Sequence, residues 1–441
     1  MVWDASGREA SHHAARYPHH RASADQAAAM AMNSSFGRAY QRLWAANALS
    51  AVGTGMTTAA LPLLASIKPP SELLLGTIAA AGLLPGVLLA VPAGLVADRY
   101  DRGRVLVLAD LGRAVVVAAA AIALLLGSLP GFVLAAITFL IGAGETVFIT
   151  ASQSAIPSFV AADRLDDANG RLQAADDVGR EFVGPPLGSL IFRLATWIPF
   201  VADAVSYLVS AVLLLRLPRT PPAPVTELHQ RPTMAPAWAY FRSSRTLVVL
   251  GGAMFTLSLC GSAVLAMLVL LVRNQFSLDV GWFGPALTVI AFGATLAGLL
   301  AGRLRARIPA RWAISGAVAV NGLSYVALGT TTMWPIAAVA LFAWGFAVTL
   351  GNITSVGIRQ RVIPGDLIGR VMGIFRAALG AGGVIGALGS GVLADATSVS
   401  TVATVAGLLQ LPVVAALAFG LPPGTGDVQQ ARRDDMPAPT T

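Results

Sequence analysis

Seven charged side chains lie inside stretches of the sequence that are otherwise apolar, where an ionisable group is costly and usually functional. Glu145 lies among small residues within 140–146, and its carboxylate could carry a proton or balance a cationic substrate. Alternatively, it pairs with Arg113 or Arg180. Left unpaired at such a depth, the carboxylate would cost about 2.5 kcal/mol or more. The other charged residues of this kind are Asp110, Arg113, Arg180, Glu181, Asp203 and Arg376.

Some of these charges have the spacing that brings side chains onto one face of a helix. The pairs are Asp110 and Arg113, Asp176 and Arg180, and Asp177 and Glu181. Two interpretations stay open. One is a buried ion network that titrates as a cavity opens. The other is a polar helix start at the membrane surface with salt bridges worth about 0–1 kcal/mol, which is favoured for Asp176 and Asp177. Asp203 and Arg376 are isolated, so each is expected to face a central cavity or to pair across helices.

Long apolar runs must hold these charges in place. The chain has 441 residues, of which 56% are apolar and 12% charged, whereas soluble domains carry about 25% charged residues. A spanning helix needs about 20 mostly apolar residues. The sequence therefore predicts an all-α membrane protein with twelve transmembrane helices. The runs are 43–67, 73–97, 105–127, 129–150, 171–195 (apolar only in its second half), 197–217, 247–272, 281–302, 312–333, 334–358, 371–395 and 398–421.

Two charged linkers indicate an internal repeat. The linker at residues 94–104 has a degenerate copy at residues 302–311, and an Ile-Pro…Gly-Arg element starts at Ile156 and again at Ile363. The twelve spans therefore divide into two six-helix pseudo-repeats. The predicted organisation is a disordered cytoplasmic tail (1–35), an N-terminal six-helix bundle (36–217), a cytoplasmic central loop (218–246), a C-terminal six-helix bundle (247–422) and a second cytoplasmic tail (423–441).

Basic residues predict the orientation of the chain. Seventeen fall in the linkers that follow even-numbered spans, and three fall in those that follow odd-numbered spans. Because Lys and Arg accumulate in cytoplasmic loops, both termini and the central loop are predicted to be cytoplasmic. The net charge of +8 comes mostly from arginines in these short linkers. That distribution fits topology signals and contacts with lipid phosphates, and not a nucleic-acid partner.

The first charged linker resembles the signature of the major facilitator superfamily, the G-x-x-x-D-R-x-x-R-R/K loop between helices two and three. Gly94, Asp98, Arg99 and Arg102 match this pattern, and Arg104 lies one place beyond its last basic position. The resemblance implies a gate in which Asp98 caps a helix of the other half when the cavity faces outward and the arginines hold that contact. A carboxylate at a helix N-terminus is worth about 0.3–1 kcal/mol, small enough to break in every cycle.

Further stretches resemble the drug- and siderophore-exporter branch of the superfamily, including residues 161–169, 199–204 and 363–372. Gly184, Pro185 and Gly188 resemble the antiporter motif of helix five, G-x-x-x-G-P-x-x-G-G, although Arg180 and Ser189 replace its first and last glycines.

The first helix departs from the exporter pattern, because Thr54 follows the Ser-x-x-Gly element where these exporters often carry an acid. A proton-coupling role would therefore fall to Glu145 or Glu181.

The resemblance implies an alternating-access carrier for the bacterial plasma membrane, exporting a small lipophilic or amphipathic molecule in exchange for protons. The alternative is an uptake symporter for a sugar or another nutrient, which has the same fold. No serine elbow, His-Glu-x-x-His or Walker loop occurs, so an enzyme is not predicted. No cofactor or metal is expected, and the expected state is a monomer in contact with membrane lipids.

The expected cavity residues come from helices one, four, seven, ten and eleven. They are Asn47, Phe148, Met254, Trp344, Asn352 and Arg376.

Overall fold

A computed structural model of the chain describes residues 36–67, 71–127, 129–219, 234–365 and 367–421, and the regular elements of these ranges are all helical. The predicted tails at 1–35 and 423–441 lie outside the described residues, as do residues 220–233 of the predicted central loop. The division into two six-helix domains stays a prediction.

The first half contains eight α-helices. They are α1 (Arg38–Ile67), α2 (Glu72–Leu88), α3 (Ala90–Arg99), α4 (Arg102–Leu125), α5 (Gly131–Ala155), α6 (Leu165–Asp177), α7 (Gly184–Phe192) and α8 (Ile198–Leu214). A π-helical segment, Val178–Val183, joins α6 to α7.

The second half begins with a short surface helix and continues through seven more. They are α9 (Ala235–Ser243), α10 (Arg245–Leu270), α11 (Phe283–Arg307), α12 (Ala310–Thr330), α13 (Trp334–Val362), α14 (Ile368–Ala396), α15 (Val399–Leu408) and α16 (Gln410–Gly420). A second π segment, Leu271–Gln275, extends α10.

Each of the twelve predicted apolar runs coincides with helix. Within the described residues, nine helical stretches are long and apolar enough to cross a membrane, and α2 with α3 gives a tenth if this bent pair is one span. The predicted sixth span is the shorter apolar helix α8. The predicted fifth span is a composite of α6, the π segment and α7, because four charged residues and two prolines interrupt it.

Proline explains both irregularities in the first half. Pro185 and Pro186 have no N–H for the preceding turn, and the Gly184 N–H reaches back five residues to the Gly179 carbonyl, which is the π pattern. Between α2 and α3 the axis bends by 50°, and Pro92 cannot donate to the carbonyl of Leu88. Helix five therefore contains a π segment and helix two a bend.

The most extensive helix contacts between the halves join α2 to α14 and α7 to α11. Glycines allow α2 and α14 to approach closely, since a Cβ built on Gly391 would lie 2.9 Å from the Glu72 carbonyl oxygen. At the same end of the bundle, Arg273 donates to the Ser66 carbonyl, and Arg193 pairs with Asp279 at 3.4 Å. We call this end the opposite face.

The halves separate toward the other end, which we call the arginine-rich face and define by Arg99–Arg104 and Arg303–Arg311. Contact between α2 and α14 continues to Val87 and Gly380, after which the bend carries α3 onto α5. Arg376, one turn before Gly380 on the same side of α14, is exposed. The bundle is therefore closed at the opposite face and open at the arginine-rich face.

The close packing of α2 on α14 predicts that Gly391→Ala lowers the free energy of unfolding by about 1–3 kcal/mol, the usual cost of an overpacked contact. Unfolding of the detergent-purified protein by heat or denaturant measures the change. Gly389→Ala is the matched control, because a Cβ at Gly389 would meet no atom within 4 Å. Equal effects of the two substitutions would contradict the close contact.

Candidate functional site

A cavity of about 390 Å³ lies between the halves, and we call it cavity A. Its walls come from α1, α2, α5, α10, α11 and the π segment that follows α6. Most of the lining side chains are apolar, and the charged ones are Glu145 and Arg180. Such a lining, with few polar groups, is typical of sites that bind small amphipathic molecules.

Glu145 and Arg180 form an ion pair within cavity A. Arg180 Nη1 lies 2.5 Å from Glu145 Oε1, and the guanidinium also reaches the Asp176 carboxylate at 3.3 Å. Of the two cationic partners considered for Glu145, the structure selects Arg180. The pair is about one-quarter exposed, so a charged molecule in the cavity can reach either member.

Cavity B, of about 410 Å³, lies in the second half and is lined by α10, α12, α13 and α14. It shares Ser262 and Leu265 with cavity A, so the two cavities adjoin. The residues that line it include no charged side chain. Tyr325 and Trp344 meet edge to face with ring centroids 5.1 Å apart. Buried Asn321 lies in the same wall, and neither its amide oxygen nor its amide nitrogen has a hydrogen-bond partner among the described residues.

A buried ion pair lies behind cavity A, in the first half. The Arg113 guanidinium donates to Asp110, whose other oxygen accepts from Ser210 Oγ at 2.5 Å. The cation is enclosed by two rings, with its carbon 4.6 Å from the Phe148 centroid and 4.3 Å from the Tyr207 centroid. Both charged groups are almost fully buried. Pairing and ring contacts together offset the cost of burying this charge.

Asp203 is a second buried carboxylate in the same region. Thr57 Oγ1 donates to its Oδ2 at 2.6 Å, and Ser206 Oγ lies 3.3 Å from its Oδ1. Thr54 Oγ1 and Tyr207 Oη are 2.8 Å apart on the adjacent turn. Thr54 and Thr57 both line cavity A, so their hydroxyls connect the cavity to the buried polar groups.

The residues of the predicted gate lie at the arginine-rich face. Asp98 is exposed and has no ion pair with any described residue. Arg102 reaches Ser158 Oγ at 3.4 Å. Asp101, which the motif does not include, caps α4 by accepting from the Arg104 backbone N–H at 2.9 Å. Aspartate is among the preferred residues at an N-cap, so this role could have been identified from the sequence.

The antiporter-like motif packs against α1. A Cβ on Gly184 would lie 2.6 Å from Gly55 Cα, and one on Gly188 would lie 2.6 Å from Met56 Cα. Pro185 is buried at the start of α7, and its carbonyl faces α11 across the boundary between the halves. The motif therefore allows close contact both within the first half and between the halves.

The predicted cavity residues divide into two groups. Met254, Trp344 and Asn352 line cavity B. Neither cavity A nor cavity B includes Asn47, which donates to the Leu172 carbonyl at 3.4 Å. Phe148 contacts Arg113 instead.

Glu181 and Arg376 are exposed, and neither forms an ion pair with another described residue. The sequence analysis did not identify Thr57, Tyr207, Ser210 or Asn321, since a hydroxyl or amide in an apolar helix gives no signal of its partner.

The closed opposite face, the open arginine-rich face and the cavities between them define a transporter of the major facilitator fold, as predicted from the sequence. A family model described as "Transmembrane secretion effector" matches residues 33–441. The chain belongs to this family, within the drug- and siderophore-exporter-like branch of the major facilitator superfamily.

A curated relative agrees with this classification, and solved structures agree with the fold. The enterobactin exporter EntS of Escherichia coli O127:H6 is 27% identical over 364 residues, which cover 79% of this chain and 83% of that protein. A point mutant of the nucleoside transporter NupG superposes with a TM-score of 0.71 at 12% identity, covering 87% of this chain and 100% of that one. A bacterial homologue of the iron transporter ferroportin, in an inward-facing state, superposes with a TM-score of 0.68 at 15% identity. The match covers 88% of this chain and 100% of that one.

The Asp110–Arg113 pair predicts a large loss of stability for Asp110→Asn. Removing one partner leaves an uncompensated buried cation and costs about 3–5 kcal/mol. Asp279→Asn is the control, because its pair with Arg193 is exposed and worth about 0–1 kcal/mol. The unfolding midpoints of the two purified variants provide the comparison. A midpoint for Asp110→Asn as high as that of the control would contradict the stabilising role of the buried pair.

Proposed function

We propose that this chain is a secondary active transporter that exports a small lipophilic or amphipathic molecule by alternating access, in exchange for protons. The observation that carries the proposal is cavity A, an apolar space with one reachable ion pair that is closed at the opposite face. A sugar would need many polar partners on the wall, so this lining supports an amphipathic substrate over the uptake of a sugar.

The two cavities support a more specific description of the substrate. Cavity A offers Glu145 and Arg180, whereas cavity B offers the Tyr325 and Trp344 rings and the Asn321 amide. A molecule with an ionised group at one end and a neutral ring with polar substituents at the other would match both. EntS, a relative of this chain, is named an enterobactin exporter, which supports export as the direction of transport.

The proposed orientation follows the distribution of arginine. With the arginine-rich face in the cytoplasm, the cavities of this structure open toward the cytoplasm, ready to load a molecule for export. The chain would then be a multi-pass protein of a bacterial plasma membrane with both termini cytoplasmic.

In the outward-facing state, Asp98 would dock on the N-terminus of α14. The N-cap of that helix, Leu367, supplies no side-chain hydrogen bond in the open state. A carboxylate is therefore a suitable cap when the face closes. The exposed Asp98 and this uncapped helix end are the two parts of the proposed gate. Arg99, Arg102 and Arg104 would hold it in place.

Efflux in cells tests the proposed function. Cells that express the protein should accumulate less of at least one compound from a panel of lipophilic cations, antibiotics and siderophores than empty cells do, and a protonophore should abolish the difference. Glu145→Gln should lose this efflux because Arg180 loses its partner in the cavity. Glu181→Gln is the control, since Glu181 is exposed and outside the ion pairs of the described chain. Increased accumulation with the wild type would instead indicate uptake.

Asp98→Asn should reduce efflux about two- to fivefold, which is the population change that corresponds to losing about 0.3–1 kcal/mol of charge–helix interaction. Asp101→Asn is the matched control, because asparagine caps a helix as well as aspartate does. Both variants are compared at equal protein level. Unchanged efflux in Asp98→Asn would contradict the proposed gate.

A disulfide between α2 and α14 tests alternating access. Val87 Cβ lies 3.7 Å from the position of a Cβ on Gly380, within the range of disulfide geometry. We expect Val87→Cys/Gly380→Cys, in a Cys260→Ser background, to crosslink on oxidation, to lose efflux and to regain it on reduction. Oxidised single-cysteine variants are the controls. Full efflux by the crosslinked protein would contradict a mechanism in which α2 and α14 must move relative to each other.

A further inference from the structure

Asp110, Arg113 and Asp203 are the buried ionisable residues of the first half that carry a formal charge. Asp110 and Arg113 pair with each other, whereas Asp203 has no oppositely charged partner among the described residues. Its side chain is 0% exposed in α8. Neutral hydroxyls make its side-chain hydrogen bonds: Thr57 Oγ1 at 2.6 Å and Ser206 Oγ at 3.3 Å. In the part of the chain that the structure describes, Asp203 forms no ion pair.

Every cation near Asp203 is already paired with another carboxylate. On α4, Arg113 binds Asp110 and lies between two aromatic rings. On the π segment, Arg180 binds Glu145 of α5 and Asp176 of α6.

The remaining elements packed against α8 bring no further charge close to Asp203. No residue of α7 is charged, and α1 carries charge only at its start, in Arg38 and Arg42. The other titratable group beside Asp203 is the Tyr207 hydroxyl, which contacts Thr54.

An ionised carboxylate in such a place is expensive, because neutral hydroxyls compensate only part of the cost of removing a charge from water. A proton on Asp203 removes that cost and leaves a neutral group that hydrogen-bonds to Thr57. The acid can then ionise when the cavity changes shape, once water enters or Arg113 shifts its ring contacts.

We propose that Asp203 is the acid that binds the exchanged proton and that the Thr57 hydroxyl relays this proton to cavity A. Thr57 belongs to the cavity wall and also contacts the buried carboxylate. When Asp203 is protonated at Oδ2, the hydrogen bond reverses and Oδ2 donates to Thr57 Oγ1. In the relay, Asp203 Oδ2 gives this proton to Thr57 Oγ1, and Thr57 passes its own hydroxyl proton to a water in the cavity. One proton moves and Thr57 is unchanged, so no oxidant or reductant is required.

This assignment rests on the proposed proton exchange and divides two roles between two acids. Glu145 is exposed to the cavity and held by Arg180, so it suits contact with a charged substrate. Asp203 lies behind the wall, with hydroxyl contacts only, so it suits reversible protonation. Both acids border the same cavity wall, which allows a substrate in the cavity to influence the proton site.

Infrared difference spectroscopy of the purified full chain in phosphatidylcholine–phosphatidylglycerol vesicles tests the proton site without any substrate. A step from acid to alkaline pH should remove a C=O stretching band of a protonated carboxyl group in the wild type. Asp203→Asn should lack this band, and Thr57→Val should shift its frequency because one hydrogen bond is lost. Asp176→Asn, which removes a carboxylate from an ion pair, should retain it. A band that persists in Asp203→Asn, or its absence from the wild type, would overturn the assignment.

Distance measurements between spin labels test whether the proton moves the gate. Labels on Tyr100→Cys and Trp312→Cys, in a Cys260→Ser background, report the opening of the arginine-rich face, where both side chains are exposed. The distance distribution should change with pH in the wild-type background and in Asp176→Asn, and the change should be lost in Asp203→Asn. A pH-dependent change that survives in Asp203→Asn would overturn the coupling, as would its absence from the wild-type background.

The transport assays separate the two proposals. Protonophore-sensitive efflux that persists in Asp203→Asn would overturn this inference while leaving the proposed function intact. Efflux that does not depend on a proton gradient would overturn the proposed exchange, whereas an Asp203-dependent infrared band would still establish the proton site.

Discussion

The cost of a charge inside a membrane bundle is the constraint on which the rest of this structure depends. Arg113 and Arg180 could not occupy their positions without carboxylates, and each has one within direct reach. Rings add to this compensation for Arg113. Arg180 of the π segment pairs with Glu145 of α5, and Asp110 of α4 accepts from Ser210 of α8, so satisfying the charges also fixes how these elements pack. Electrostatics and fold are therefore determined together in the first half.

The two halves divide the chemistry unequally although the sequence repeats. Within the described residues, the ion pairs between deeply placed side chains belong to the first half. Cavity B of the second half is lined by aliphatic and aromatic side chains together with neutral amide and hydroxyl groups. Buried Arg359, near the arginine-rich end of α13, donates to the Ser355 carbonyl and lies over the Phe375 ring, 4.5 Å from its centroid. The two halves have related sequences, yet cavity A has charged residues in its wall and the adjoining cavity B has only neutral ones.

The backbone of the first half is irregular at two places beside the boundary between the halves. Missing N–H groups at proline explain both the π segment before α7 and the 50° bend that follows Val87. The π segment contains Arg180, which lines cavity A. The bend directs α3, and with it Asp98, away from α14. Local chemistry therefore sets both the position of the ion pair and the separation at the arginine-rich face.

The sequence by itself determined the apolar helices, the internal repeat and the Gly94–Arg104 motif, because hydropathy and motif spacing are local properties of the chain. It also identified which charges lie within apolar runs. The tertiary structure alone decided that Glu145 pairs with Arg180 and not Arg113, that Phe148 contacts a guanidinium, and that Thr57 links Asp203 to the cavity. These contacts depend on the rotation and crossing of helices separated by tens to more than a hundred residues, which hydropathy does not encode.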